Sequence, residues 1–293
     1  MAQLQLGFDA YSPREIAEKV QLLGAAKARL PFVQTAMLGV LAGAFIGLGA
    51  LYFTLVAADA KLGFAGTRVL GGFTFSLGLI LVSVAGAELF TGNNLMAMAW
   101  ADHKITTTEL LRNWLIVYAA NAVGAAGLAL LIYLSNHPAM NGGAVGATYI
   151  KIAAAKAALP FGEAFFKGVL CNLLVCLAVW LAMAGHTVID RIVAIVFPIS
   201  AFVAAGFEHS IANLYFLPLG MLLSDTVTWS GLAANLVPVT LGNIVGGSGM
   251  VALVYYLIYR RPALAEPRSG TERTRATDVA VHLPDAAPPQ KPV

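Results

Sequence analysis

Six stretches of this chain stay apolar for longer than the helices of a soluble core require. They run over about 31–58, 68–100, 109–135, 160–187, 189–222 and 232–259. A helix needs roughly 20 residues to cross about 30 Å of hydrocarbon. Each stretch is therefore long enough to span a bilayer, and the second and fifth are longer than one crossing needs. Charged residues make up 11% of the 293, and mean hydropathy is +0.77; a water-exposed surface carries nearer to about a quarter. The pattern predicts an all-α polytopic membrane protein with six transmembrane helices. The net charge of +3 is too small to point to nucleic acid as a partner, which leaves membrane lipid as the surroundings.

The flanks follow from local signals. Residues 1–30 are polar and amphipathic, without the short apolar core and small-residue site of a cleavable leader. Ser12 as N-cap, Pro13 at the first helical position and Glu15 form a capping-box signature. Ile16, Val20, Leu23 and Ala26 or Lys27 then recur at helical spacing, as in a helix lying on the membrane or against the protein. Six spans put both ends of the chain on one side. That side holds Arg14, Lys19, Lys27, Arg29, Lys104, Arg112, Arg191, Arg260 and Arg261, against Lys61, Arg68, Lys151, Lys156 and Lys167 on the other. The excess of basic residues predicts that both termini are cytoplasmic. Residues 31–260 form the membrane domain, and the Pro-rich 261–293 reads as a disordered cytoplasmic tail. Cys171 and Cys176 lie on one span, pointing to different faces, and read as small packing residues.

The two halves repeat. "AGAELFTGNNL" (85–95) aligns with "AGFEHSIANLY" (205–215), so that Glu88 meets Glu208 and Asn93 meets Asn213. "NAVGAAG" (121–127) matches "NIVGGSG" (243–249), and "GVLAG" (39–43) matches "GVLCN" (168–172) more weakly. Three spans per copy is an odd number, so the second copy enters the membrane from the opposite face. Inverted repeats place a site near the midplane, often on discontinuous helices. The spaced glycines of the third and sixth spans suit close helix approach.

Polar residues inside spans two and five predict that both helices are broken. The signals are Gly92, Asn93 and Asn94 in the second span, and Pro198 with the later Gly206 in the fifth. Glu88 and Glu208 occupy repeat-related positions, which favours one structural task done twice: holding the loosened backbone at each break. His209 has no such counterpart, since Leu89 stands in its place. An imidazole titrates at about 6.5, nearest to neutrality of any side chain, so His209 is the candidate for handling an anion together with its proton. The remaining histidines fall at span ends or in the tail, so no metal site and no cofactor are expected.

"AELFTGN", "KGVLCN", "GFEHSIANL" and the N-terminal "SPREIAEKV…GAAKA" resemble the formate/nitrite transporter family over about residues 8–260. The resemblance implies homopentamers in the bacterial inner membrane, each protomer carrying its own pore in an aquaporin-like fold. It puts the pore histidine on His209 and its threonine partner on Thr91. It places apolar constrictions at Phe75, Leu79, Leu89, Phe90, Val175 and Phe202. Lys156 falls on the outer-vestibule lysine and Asn172 on the polar group lining the path. As bulk, the constriction residues would equally suit a core or a lipid-facing surface. The family also implies closure of the cytoplasmic mouth by the N-terminal segment at low pH. By analogy it suggests a cytoplasmic formate-producing enzyme, of pyruvate formate-lyase type, as a partner.

The function expected is a channel for small monovalent anions, formate first, pH-dependent and proton-coupled through His209. Nitrite and hydrosulfide are the alternatives within the family. A neutral-solute channel lacks its paired Asn-Pro-Ala signatures. An intramembrane enzyme using Ser210 or Ser248 with His209 as base lacks an activating constellation. The chain is not read as an enzyme.

Overall fold

The computed structural model describes residues 10–261. The tail expected beyond Arg261 and the first nine residues lie outside them. The described residues are helical throughout, and six helices are long and apolar enough to cross a membrane: Phe32–Ala57, Gly63–Gly86, Thr107–Leu134, Phe161–Ala182, Val188–Ala205 and Trp229–Tyr259. Large apolar side chains such as Leu115, Val123, Phe166 and Phe197 point outward, the side that hydrocarbon would cover. The interior instead holds buried Tyr149, Tyr215, Asn121, Asn172 and Asn243.

Helix α1 (Pro13–Ala28) begins as its sequence predicts. Ser12 Oγ accepts from the Glu15 amide, and Glu15 Oε2 accepts from the Ser12 amide at 2.7 Å. Its buried face differs from the expected stripe. Ile16, Val20, Gly24 and Ala28 are buried, while Leu23 and Ala26 are exposed. The two small residues of this face, Gly24 and Ala28, let the end of the helix lie close to α5 (Ala97–Ala101), with Gly24 against Ala99. Gln21 pins it further, its Oε1 accepting from Lys104 Nζ and Arg260 Nε at 2.8 Å each.

The first copy continues with α2 (Phe32–Ala57) and α3 (Gly63–Ile80), the latter ending in a π-helical turn at Leu81–Gly86. The chain then runs extended through Ala87 and Leu89 before α4 (Phe90–Asn93), a 3-10 turn (Asn94–Met96) and α5. Helix α6 (Thr107–Leu134) closes the copy. The second copy runs α7 (Ala144–Ala157), α8 (Phe161–Ala182), α9 (Val188–Ala205), α10 (Ser210–Leu223) and α11 (Trp229–Ile244). A second π-helical stretch (Val245–Leu253) then leads into α12 (Val254–Tyr259).

In the second span the interruption lies elsewhere than expected, and in the fifth it falls at the later of the two expected signals. In the second span the helix stops at Gly86, ahead of Gly92-Asn93-Asn94, which fall in the short helical turns beyond. In the fifth, α9 passes straight through Pro198 and stops at Gly206. The cause is local and the same in both copies. Gly86 (φ 83°) and Gly206 (φ 78°) adopt a left-handed conformation that a side chain disfavours. The following amides fold back identically, Ala87 N to the Val82 carbonyl and Phe207 N to the Phe202 carbonyl, both at 3.0 Å. Proline at 198 costs one amide donor, which a long packed helix absorbs; a left-handed residue turns the chain.

The repeat also reaches further than the three spans. α1 and α7 correspond, each leading into a Pro-Phe helix start. "AAKARLPF" (25–32) and "AAKAALPF" (154–161) differ at one position. The spaced glycines divide in function. A Cβ on Gly124 or Gly246 would overlap the carbonyl of Val40 or Val169, so these allow α6 against α2 and the sixth span against α8. Gly127 and Gly249 meet nothing within 4 Å, and the expected close approach does not extend to them.

Candidate functional site

Each interruption is held by a frame of side chains, and the two frames share a common set of bonds. They differ at the lysine, since Lys27 Nζ also reaches Asn93 Oδ1 at 2.9 Å while Lys156 Nζ takes both oxygens of Glu208. Glu88 is buried; its Oε1 pairs with Lys27 Nζ at 3.0 Å and its Oε2 accepts from Asn93 Nδ2 at 2.6 Å. Asn93 Nδ2 also reaches Asn113 Oδ1 at 2.9 Å, and Asn113 Nδ2 returns to the Lys27 carbonyl at 3.3 Å. In the second copy Glu208 pairs with Lys156 Nζ at 2.9 Å and accepts from Asn213 Nδ2 at 2.6 Å. Asn213 reaches Asn235 Oδ1 at 2.7 Å, and Asn235 Nδ2 returns to the Lys156 carbonyl at 2.9 Å. Such pairing is what makes a buried carboxylate tolerable.

The carboxylates thus do not hold loosened backbone themselves, as the sequence suggested. That task falls to Asn121 and Asn243. Asn121 Nδ2 donates to the Gly39 and Glu88 carbonyls while its Oδ1 accepts from the Phe90 amide. Asn243 does the same to Gly168, Glu208 and Ser210. One asparagine thus answers two freed backbone groups of each interruption and ties them to a carbonyl of the neighbouring helix, α2 or α8.

The frames hold Thr91 and His209 face to face. Thr91 Oγ1 and His209 Nε2 are 2.9 Å apart and buried. His209 is also the N-cap of α10, its Nδ1 accepting from the Ala212 amide at 3.1 Å. An imidazole nitrogen that accepts an amide proton carries none, so in the neutral ring the proton sits on Nε2, pointing at Thr91. Leu89 occupies the same cap position in the first copy without a side-chain bond. Asn172 stands behind the pair. Its Nδ2 donates to the carbonyls of Thr91 at 3.2 Å and Asn243 at 2.7 Å, and Cys176 Sγ adds a contact to the Thr91 carbonyl at 3.3 Å.

Around the His209 ring lies a waist. A void of about 10 Å³ is lined by Ile46, Phe75, Leu79, Leu89, Val175, Ile199, Phe202 and His209. That is room for about one water. Phe75 and Phe202 meet edge to face at 5.6 Å, and Phe202 stacks on the His209 ring at 6.0 Å. Ile46 and Ile199 join the ring unannounced by the sequence. Phe90 stays outside it, edge-on to Trp114 and Tyr118 at 6.1 and 4.9 Å.

Two cavities meet at the waist. One, of about 360 Å³, shares Leu79 and Leu89 with it and is walled by Lys27, Glu88 and the inner face of α1. The other, of about 260 Å³, shares Phe75, Phe202 and His209 and is walled by Lys156, Glu208, Arg68 and Lys167. Lys27 on the first cavity and Lys156 on the second, the lysine that the resemblance places in the outer vestibule, are each bound to a glutamate. The serine alternative finds no support: Ser248 Oγ bonds to the Asn94 carbonyl at 3.1 Å, and both nitrogens of His209 face Thr91 and Ala212. Among the described residues no cluster of side chains could hold a metal ion.

Six spans, two half-channels meeting at a dry neck, and a polar pair whose histidine lines that neck define a membrane channel or transporter for a small solute. The chain matches the formate/nitrite transporter description over residues 14–257, and it belongs to that family. It is 37% identical to the formate channel FocA of Escherichia coli K12 over 274 residues, covering 87% of this chain and 96% of that one. It is 39% identical to a probable formate transporter of Methanothermobacter thermautotrophicus over 272 residues, with 87% and 99% covered. Among solved structures it is similar to a pentameric formate channel with formate bound (TM-score 0.73, 35% identity, 78% of this chain and 97% of that one). It is also similar to an FNT family ion channel (TM-score 0.76, 30% identity, 83% and 98%). These relatives are channels and transporters rather than enzymes.

Proposed function

We propose that this chain carries small monovalent anions, formate first among them, across a bacterial inner membrane. It does so as a homopentamer of independent pores with both termini in the cytoplasm. The observation that carries this reading is His209, bonded to Thr91, on the wall of an apolar neck between two cavities walled by cations.

The neck penalises a bare anion by several kcal/mol or more, because few groups there replace its water. A protonated, neutral acid crosses at much lower cost. His209 Nε2–H is the donor placed to meet the carboxylate, with the Thr91 hydroxyl free to turn as donor or acceptor. Giving that proton away entirely would leave an imidazolate unless Nδ1 gained one, and Nδ1 is occupied by the Ala212 amide. His209 therefore polarises and orients the anion, and the proton that neutralises it comes from water. Transport then rises with acidity because the acid form becomes more abundant. Nitrite and hydrosulfide share the charge and small size that the neck selects. The inner face of α1, walling the cytoplasmic cavity, would close that mouth by settling inward. A formate-producing enzyme on the cytoplasmic side is a further proposed partner.

The test is formate and nitrite flux into liposomes carrying the purified protein, between about pH 5 and 8, where imidazole and weak acids titrate, for wild type and His209→Ala. The reading expects acid-stimulated formate flux in wild type and a much lower flux at every pH in the variant, with the acid stimulation of the remainder kept, since the acid form supplies it. Equal flux with equal pH dependence in both would make His209 a packing residue and end the proposal.

A further inference from the structure

The two frames set up a comparison that isolates one residue. In each copy the frame lysine lies about 3 Å from its glutamate, and at a distance such a pair acts as a dipole rather than a charge. Neither Lys27 nor Lys156 then accounts for drawing an anion out of bulk water. Of the other two cations on the 260 Å³ cavity, Lys167 stands 3.3 Å from Glu163 in an exposed pair on its own helix. Arg68 has no carboxylate within 4.0 Å among the described residues.

Arg68 is half-buried on α3 and reaches across to the end of α9. Its Nε donates to the Ala204 carbonyl at 2.8 Å and its Nη2 to the Val203 carbonyl at 2.9 Å. These two bonds fix the plane of the guanidinium against Gly206, where a Cβ would stand 2.8 Å from Nη2. A guanidinium has five N–H donors, and the other three have no protein partner among the described residues. The result is a full positive charge with a fixed fork of spare donors, on the wall of a cavity that ends at His209. The register that relates Glu88 to Glu208 puts Val188 opposite Arg68, so the other half-channel has no equivalent.

We infer that Arg68 is the capture site for the anion at the mouth opposite α1, a binding residue that receives a carboxylate or similar monovalent anion before it meets Phe202 and His209. This deepens the proposed function and rests on it. The Lys156–Glu208 pair then serves the fold of the interruption, while the attractive field comes from Arg68. The site also makes the two mouths unequal. Loading from the Arg68 side is favoured by charge, and loading from the α1 side is not.

Formate uptake into liposomes is measured for wild type, Arg68→Gln, Arg68→Lys and Lys61→Gln, at ionic strengths from about 20 to 500 mM set with an impermeant salt, a range over which screening lengths fall severalfold. Lys61 is an exposed cation near the same mouth that does not wall the cavity. Wild type should show a KM that climbs with ionic strength. Arg68→Gln should raise KM roughly threefold to tenfold at low salt with little change in maximal flux, and should flatten the salt dependence. Arg68→Lys should keep the salt dependence, and Lys61→Gln should match wild type. A salt-independent KM in wild type overturns the inference without any variant, even if Arg68→Gln fails to assemble. So does a well-assembled Arg68→Gln with wild-type KM and salt dependence. If wild type passes no formate, the proposed substrate fails instead, and the same series is run with nitrite or hydrosulfide. Passage of none of the three overturns both.

Discussion

The backbone amide of Ala212 points at Nδ1 of His209 from 3.1 Å, and this contact, outside the neck proper, decides which nitrogen faces the solute. Nitrogen-15 NMR of labelled histidine in the membrane-embedded protein should show the His209 ring protonated at Nε2 and bare at Nδ1. A ring protonated at Nδ1 would contradict the geometry and reverse the roles assigned to His209 and Thr91.

Thr91→Val keeps the shape of the side chain and removes its hydroxyl, leaving the Nε2–H unpaired in a dry site at a cost of about 1–3 kcal/mol. Formate flux should fall by roughly tenfold or more, since each 1.4 kcal/mol is a factor of ten, while Thr91→Ser retains most of it. The liposome assay above reads both. Wild-type flux in Thr91→Val would remove the hydroxyl from the mechanism.

Breaking a frame strands its lysine. The Lys156 side chain is 15% exposed against 31% for Lys27, so the charge left by Glu208→Gln has less access to water than that left by Glu88→Gln. Removing one partner of a buried pair costs about 3–5 kcal/mol. Thermal unfolding in detergent should therefore drop further for Glu208→Gln than for Glu88→Gln. The reverse order would mean that burial is not what the frames are compensating.

Glycine substitutions separate packing from composition. Gly124→Ala and Gly246→Ala force a methyl group onto the backbone of a neighbouring helix, and the folded oligomer should be lost from size-exclusion profiles. Gly127→Ala and Gly249→Ala meet open space and should leave assembly and flux intact, with a stability gain of up to about 1 kcal/mol from helix propensity.

The capping carboxylate of α1 lies outside the spans. The Ser12 hydroxyl and then its amide hold Glu15 below its ordinary pKa. Because the folded-state value is depressed, the cap contributes above the unfolded carboxylate range and is lost only as pH falls through the lower folded value. Hydrogen exchange at the first turn of α1, corrected for intrinsic rates, should therefore be unchanged between about pH 7 and 5 and rise only in stronger acid. Loosening already at pH 6 would make the Ser12–Glu15 cap a sensor of mild acidity.

The sequence carried the spans, the inner repeat and the residues of the polar pair, because hydrophobic length and repeated motifs are one-dimensional signals. The break in the second span was misplaced for a physical reason. Pro198 and the Asn93-Asn94 pair are conspicuous as residue types, whereas the turns depend on the left-handed backbone at Gly86 and Gly206. The sequence points to Gly206 through its polar neighbours but to Gly86 by nothing beyond a residue type common in this chain. The partners of Glu88 and Glu208 were missed because they lie on other helices. One signal was available and not used: "AAKARLPF" against "AAKAALPF" aligns Lys27 with Lys156 as directly as the motif that aligned the glutamates. Asn113 and Asn235 keep step with Asn121 and Asn243, and would have completed both frames. The inward turn of Phe90 away from the neck, and the presence of Ile46 and Ile199 in it, depend on side-chain direction and leave no mark in spacing.

The neck at Phe75, Leu79 and Phe202 leaves space for about one water, and its consequence is kinetic. A solute larger than one water passes a neck of this width only if its walls move, and the Phe75–Phe202 contact is the part of the wall to part. Flux should therefore rise with temperature more steeply than the viscosity of water falls, as it would not through a standing water column.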